Sequence, residues 1–171
     1  MNTQAASWLP MTMNDIEPVD RIANLIHPGF PERPEVFAEK LSLFSKGFSK
    51  LVNSNGTVVG YGISHPWKLL SIPPLDAFLG ALPAAPDCMY MHDVAILPEA
   101  RGSGASAAYI KGLKTVTRNL SLSKLACVAI YGAEILWARY GFQIRASEEL
   151  QAKIKTYGEA AKYMVADIAE S

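Results

Sequence analysis

The residue types best suited to chemistry lie in one run, His92-Asp93-Val94-Ala95-Ile96-Leu97-Pro98-Glu99-Ala100-Arg101-Gly102-Ser103-Gly104-Ala105-Ser106. Two glycines two residues apart let the backbone turn tightly with its N–H groups facing one way. A helix opening behind them adds the positive end of its dipole. Such a nest holds a phosphate without any net positive charge on the protein. The dipole contributes about 0.3–1 kcal/mol per favourable charge. Hydrogen bonds to a charged partner, about 1.5–3 kcal/mol each, would supply most of the grip, and Arg101 could add a direct phosphate contact. The spacing is neither G-x-x-x-x-G-K-[ST] nor G-x-G-x-x-G, since Ala107 stands at the third glycine position. From the residues alone a second reading stays open, in which Arg101 and the glycines form a tight strand–helix turn that binds nothing.

The elements around this run follow from periodicity. Residues 8–13 read as a short strand, with Pro10 suiting an edge. Asn14 and Asp15 offer cap chemistry to a helix carrying Ile16, Val19, Ile22, Ala23 and Ile26 at helical spacing, which His27-Pro28-Gly29 stops. A second helix over about 33–46 aligns Phe37, Leu41 and Phe44. Lys50-Leu51-Val52, then Asn53-Ser54-Asn55-Gly56, then Thr57 to Ile63 predict a hairpin, because Asn-Gly tolerates positive φ. From His65-Pro66-Trp67 to Pro86 the sequence predicts an apolar, proline-rich loop of about twenty residues, long enough to act as a packed lid. Cys88 to Leu97 reads as a buried strand, and Tyr109, Ile110, Leu113, Val116 and Leu120 as a helix. Lys124 to Ile130 is a further strand, Ala133 to Tyr140 a short helix closed by Gly141, and Phe142 to Arg145 a strand. Ser147 opens a last helix that ends at Gly158, before a final strand over Lys162 to Ile168. The order β-α-α-β-β-β-α-β-α-β-α-β predicts an α/β protein with a mixed sheet, and the absence of repeats or linkers makes residues 1–171 one domain.

Composition narrows the function classes. Sixteen Lys plus Arg balance sixteen Asp plus Glu, with a sequence pI near 6.8, which argues against a nucleic-acid partner. Half the residues are hydrophobic, enough for a sizeable core. Cys88 and Cys127 form no C-x-x-C pair and the histidines at 27, 65 and 92 are dispersed, so neither a metal site nor a disulfide framework is expected. The opening Met-Asn-Thr-Gln-Ala-Ala-Ser lacks the basic region and apolar run of a secretory leader, and the apolar stretch 69–86 is broken by prolines and Asp76. A cytoplasmic protein without membrane contact is the expectation.

The strand and the loop after it resemble the acetyl-CoA motif of the GNAT superfamily of N-acetyltransferases, a strand ending V-x-P followed by R/Q-x-x-G-x-G/A. Ala133-Glu134-Ile135-Leu136-Trp137-Ala138-Arg139-Tyr140-Gly141-Phe142 resembles the second signature, A-x-x-F-Y-x-x-x-G-F. The resemblance covers essentially the whole chain. It implies a central, mostly antiparallel sheet of about seven strands, splayed into a V between the fourth and fifth by a bulge and flanked by helices. It implies acetyl-CoA as co-substrate and no metal. It places Val94, Ala95 and Ile96 along the pantetheine arm as if it were an added strand, and wraps Arg101, Gly102, Ser103, Gly104, Ala105, Ser106 and Ala107 around the pyrophosphate. Trp137 would line the cofactor cleft where the family often has a tyrosine that protonates the departing thiolate, Ser106 stands for the usual last Gly/Ala, and Ile130 for a frequent asparagine. The general acid is therefore open.

Transfer to an amine needs the neutral amine, and for a pKa of about 10.4 deprotonation at pH 7 costs roughly 4–5 kcal/mol, which calls for a base or a water relay. Strict alternation puts Tyr90, His92 and Val94 on one face and Met91, Asp93 and Ala95 on the other. Arylalkylamine N-acetyltransferases carry two histidines two residues apart on this strand; His92 matches one and Tyr90 occupies the other place. His92 is the candidate base or water-positioning group, with Asp93 an alternative and a hydrogen-bonded interior histidine the competing reading. The loop 65–86 and the first two helices would wall the acceptor, a small-molecule amine; a protein N-terminus or lysine, and a non-catalytic acyl-CoA-binding module, are the alternatives. The C-terminal strand and apolar loops leave room for a homodimer.

Overall fold

A computed structural model describes residues 5–168. Residues 1–4, on which the reading of no leader partly rests, and residues 169–171 lie outside the described residues. The hairpin expected at Asn-Gly forms as β2 (Phe48–Val52) and β3 (Val58–Trp67). Asn53 Oδ1 accepts from the N–H groups of Asn55 and Thr57, both at 3.0 Å, and so shapes the turn. Around it the strands β1 (Ser7–Pro10), β4 (Cys88–Ile96), β5 (Lys124–Ala129), β6 (Phe142–Ile144) and β7 (Lys162–Asp167) complete a seven-stranded mixed sheet ordered β1-β2-β3-β4-β5-β7-β6. Every neighbouring pair is antiparallel except β4 with β5.

That parallel contact is short. It runs only from Met89 to Met91 against Leu125 to Cys127, while β4 continues to Ile96 and β5 to Ala129. The cause lies in β4: Ile63 of β3 pairs with Asp93 and Ser64 with Met91, so His92 is an extra residue and the strand bulges there. The expected V between the fourth and fifth strands follows from this bulge.

Helices cover both faces. α1 (Ile16–Ile26) and α2 (Pro34–Leu43) bury Val19, Ile22, Ala23, Phe37 and Leu41 against Tyr61, Ile63 and Ala95. On the other face α3 (Ala105–Asn119) buries Tyr109, Ile110 and Leu113 against Met89, Met91, Leu125 and Cys127. Tyr109 lies so close over Gly62 that any Cβ there would strike its ring, and its hydroxyl bonds Ser64 Oγ at 2.7 Å. α4 (Glu134–Ala138) and α5 (Glu148–Ile154) bracket β6, and Ser147 caps α5 by accepting from Leu150 N–H. No helix among the described residues is long and apolar enough to cross a membrane.

Three expectations change. The first strand ends at Pro10 rather than residue 13, because the Asp15 carboxylate accepts from Thr12 N–H at 2.8 Å and starts a turn of tighter helix over Met13–Asp15. The second helix stops at Leu43. His65-Pro66-Trp67 belongs to β3, not to a loop. β2 covers β3 only as far as Ile63, so Pro66 lies in a stretch bare on that side, where a strand tolerates a missing N–H.

Candidate active site

The splay opens a cavity of about 650 Å³ between β4 and β5. Tyr90, His92, Val94, Ala95, Ile96, Arg101, Gly102, Gly104, Ala105, Ser106 and Trp137 all line it. Ser103 and Ala107 do not: Ser103 Oγ donates to Ala100 O at 2.8 Å, and Ala107 is exposed on the outer side of α3.

The loop after β4 is shaped by its glycines. Gly102 and Gly104 have φ of 77° and 81°, the left-handed region that a Cβ disfavours. A Cβ on either would meet nothing within 4 Å, so backbone conformation, not crowding, selects glycine there. Gly104 is the N-cap of α3, and no side chain caps that helix end. The first N–H groups of the helix, from Ala105 onward, have no intrahelical acceptor. Trp8 Nε1 donates to Ala105 O at 2.8 Å and fixes the first turn from the far edge of the sheet. Arg101 Nε donates to Ile96 O at 2.9 Å, so part of its guanidinium ties the loop back to β4.

At the bulge the chemistry is carried by side chains. Because His92 is the extra residue, alternation breaks: Val94 joins the Met91 side, against α3, while His92, Asp93 and Ala95 all turn toward α1 and α2. This overturns the strict alternation expected from the sequence and gives the cavity two carboxylate–imidazole pairs. His92 Nε2 lies 3.0 Å from Glu32 Oε1, and His27 Nε2 lies 3.0 Å from Asp93 Oδ1. Asp93 Oδ2 also accepts the Tyr61 hydroxyl at 2.6 Å. Burial works against charge on His27, but the hydrogen bond and attraction of Asp93, with help from Glu32, raise its pKa above the ordinary imidazole value. Burial likewise opposes charge on Glu32, yet His92, Lys40 and the Asp76 N–H hold its carboxyl below the usual range.

His65 stands behind His92, their ring centres 5.8 Å apart, and both rings neighbour buried Tyr90. Burial pushes the His65 pKa down to about 3, so it is neutral near neutral pH. Tyr90 is fully enclosed, and burial drives its hydroxyl pKa well up. Trp137 packs on Tyr140 and Phe142, with Tyr140 also lining the cavity. Cys127 lines it too, but burial raises its thiol pKa and keeps it protonated. Among the described residues no group of three or more His, Cys, Asp or Glu is arranged to hold a metal ion.

Glu32, His27, Phe30, Tyr131 and Tyr157 line the cavity without a place in the sequence-based site, and His65 enters that reading only as the start of the acceptor loop. His27 is legible only as a helix stop and His65 only as a loop start; Glu32, between Pro31 and Arg33-Pro34, gives no signal at all. Of the apolar residues expected between 65 and 86, Leu75 reaches the cavity, whereas Trp67 and Leu69 pack on the Cys88–Tyr90–Tyr163 cluster. Phe78 is exposed beneath the Arg33 guanidinium.

The splayed mixed sheet, the glycine loop feeding a helix and the uncovered strand edge are the features that the GNAT resemblance implies. The family model for the Acetyltransferase (GNAT) family matches residues 16–142, and the chain belongs to that family. Among solved structures, Ard1 from Thermoplasma volcanium aligns with a TM-score of 0.71 and 15% identity over 97% of this chain and 99% of that one. Naa20 from Chaetomium thermophilum, in complex with a bisubstrate analogue, aligns with a TM-score of 0.70 and 12% identity over 95% of this chain and 86% of that one. N-acetylglutamate synthase from Neisseria gonorrhoeae, complexed with coenzyme A and N-acetyl-glutamate, gives 0.66 and 17% over 97% of this chain and 36% of that one. At these identities the likeness is one of fold. Comparison with curated protein sequences gives no match.

Proposed function

We propose that this GNAT protein moves an acetyl group from acetyl-CoA to the primary amine of a small molecule, with residues 1–171 acting as one domain. The observation that supports it most is the bare edge of β4 beyond Met91, running directly into the Gly102–Gly104 turn. Val94, Ala95 and Ile96 offer main-chain groups to the amides of the pantetheine arm, as an added strand would use them. The N–H groups from Gly102 to Ser106 receive the pyrophosphate. Trp137 walls the cleft opposite. In this reading Ser103 and Ala107 shape the loop without touching the ligand.

The amine nitrogen attacks the thioester carbonyl carbon, the C–S bond breaks, and the N-acetylated amine and coenzyme A leave. His92 takes the amine proton, directly or through one water, and Tyr90 packs beside it. Direct transfer agrees with the protonated state of Cys127, since a buried neutral thiol is a poor acyl acceptor. A small acceptor agrees with the Phe30–Tyr131 contact, ring centres 5.5 Å apart, which joins the α1–α2 connection to the end of β5 at the cavity wall.

One observation favours binding without transfer: Trp137, at the place of the family's frequent tyrosine, offers no acidic proton. The test is a thermal-shift titration with coenzyme A and acetyl-CoA, followed by free-thiol release over a panel of small amines and N-terminal peptides. Release with small amines supports the proposal. Stabilisation without release on any acceptor replaces it with the binding module, and release on peptides alone replaces the small acceptor with a protein.

A further inference from the structure

The α1–α2 connection carries Glu32 into the cavity, and its surroundings fix the side chain there. Glu32 and His92 are 5% and 1% exposed at the side chain. Oε1 and Oε2 lie 3.0 and 3.2 Å from His92 Nε2, and Oε2 also accepts the Asp76 N–H at 3.1 Å. Asp76 in turn accepts the N–H and the Nε of Arg33, next in sequence to Glu32, at 2.8 and 3.0 Å. This reciprocal bracket holds the carboxylate in one orientation, with buried Lys40 of α2 contributing favourable charge.

A neutral imidazole has one N–H and one lone pair. A carboxylate accepts only, so it draws the proton of His92 to Nε2 and leaves the lone pair on Nδ1. That Nδ1 is buried and has no hydrogen-bond partner among the described residues. His27 Nδ1 and His65 Nε2 are likewise buried without a partner, so the bare nitrogen alone does not mark a base; His92 is set apart by lining the cavity on a carboxylate that a second segment fixes through the Asp76 N–H.

We infer that Glu32 is the positioning residue of His92, fixing the Nε2–H tautomer so that Nδ1 is the atom that accepts the proton of the acceptor amine. The inference rests on the reading of this cleft as an acetyl-transfer site with His92 as base. The proton leaving the amine binds Nδ1, the imidazolium is held by the Glu32 carboxylate at Nε2, and it later passes the proton to the departing thiolate or to solvent. Glu32 stays ionised throughout. The other titratable groups around His92 are Lys40 of α2, His65 of β3, Tyr90 and Asp93 of its own strand, His27 at the end of α1 and Tyr157 after α5.

The experiment compares Glu32→Gln, Glu32→Asp and His92→Ala in kcat, in acetyl-CoA KM and in the pH profile of kcat/KM, with Tm as the control for folding. Glu32→Gln preserves size but removes the charge, and its amide can donate to Nε2 and invert the tautomer. It is expected to lower kcat about 100-fold. The acidic limb should move about one unit to lower pH, because the imidazolium loses its partner charge. Acetyl-CoA KM should stay within about twofold, and Glu32→Asp should recover part of kcat. Unaltered kcat and pH limb in Glu32→Gln overturn the inference while leaving the base in place. A fall in kcat accompanied by a lower Tm and an unmoved pH limb overturns it as well, making Glu32 a structural tie. Full activity in His92→Ala would instead remove the base itself, and with it the reading on which Glu32 depends.

Discussion

The two ends of the cavity are built by opposite means. At the loop end, from Arg101 to Ser106, the groups on offer are main-chain N–H donors in a contiguous stretch, exposed from Arg101 to Gly104 and shaped by glycines at positive φ. At the bulge end they are side chains, His92 and Asp93 from one strand and His27 and Glu32 from the α1–α2 region, with buried His65 of the neighbouring strand behind them. The first end suits a ligand common to many enzymes, since backbone donors recognise a diphosphate whatever the side chains are. The second end suits proton transfer, since only burial and pairing move imidazole and carboxylate pKa values apart.

This contrast breaks most sharply at His92. Replacing it with Ala is expected to lower kcat about 10²- to 10⁴-fold, with acetyl-CoA KM nearly unchanged; a matching change in KM would merge the two ends into one binding surface. The next effect is on stability. His65 has a folded pKa of about 3 against 6.5 ordinarily, so the unfolded chain takes up a proton across that window and the folded chain does not. The protein should lose about 1.4 kcal/mol per pH unit from this group as pH falls below 6.5 toward 3. His27 behaves oppositely, its contribution present below 6.5 and lost as pH rises through its raised folded value. Denaturant midpoints measured from pH 7 to 4.5 should therefore fall more steeply for the native chain than for His65→Asn.

The smallest effect belongs to the loop. Gly104→Ala forces a side chain to φ 81° with nothing nearby to strike, a conformational cost of about 1–2 kcal/mol. Acetyl-CoA KM should rise by up to about tenfold with kcat largely kept. Gly80→Ala, equally strained at φ 77° but remote from the cavity, should lower Tm alone. Equal KM values for the two variants would separate the loop from ligand binding.

The same contrast explains what could be read in the residues. The glycine loop is local, and its chemistry follows from order and spacing, so its place between strand and helix was legible. The V was legible only through resemblance, because a one-residue bulge leaves no periodic mark: Met91-His92-Asp93-Val94 looks like continuous alternation. That missing mark also sent Asp93, Val94 and Ala95 to the wrong faces relative to His92. Glu32 and His92 are 60 positions apart and meet only because α1 and α2 pack on the sheet. His65 was hidden by Pro66, which reads as a strand breaker until the bare edge of β3 is seen.

Hydrogen exchange of the protein with and without saturating coenzyme A tests the assignment of the cleft most directly. Protection is expected at the amides of Gly102 to Ser106 and along Val94 to Ile96, with little change on β1 and β2. Protection confined to other segments, or none at millimolar coenzyme A, would contradict it.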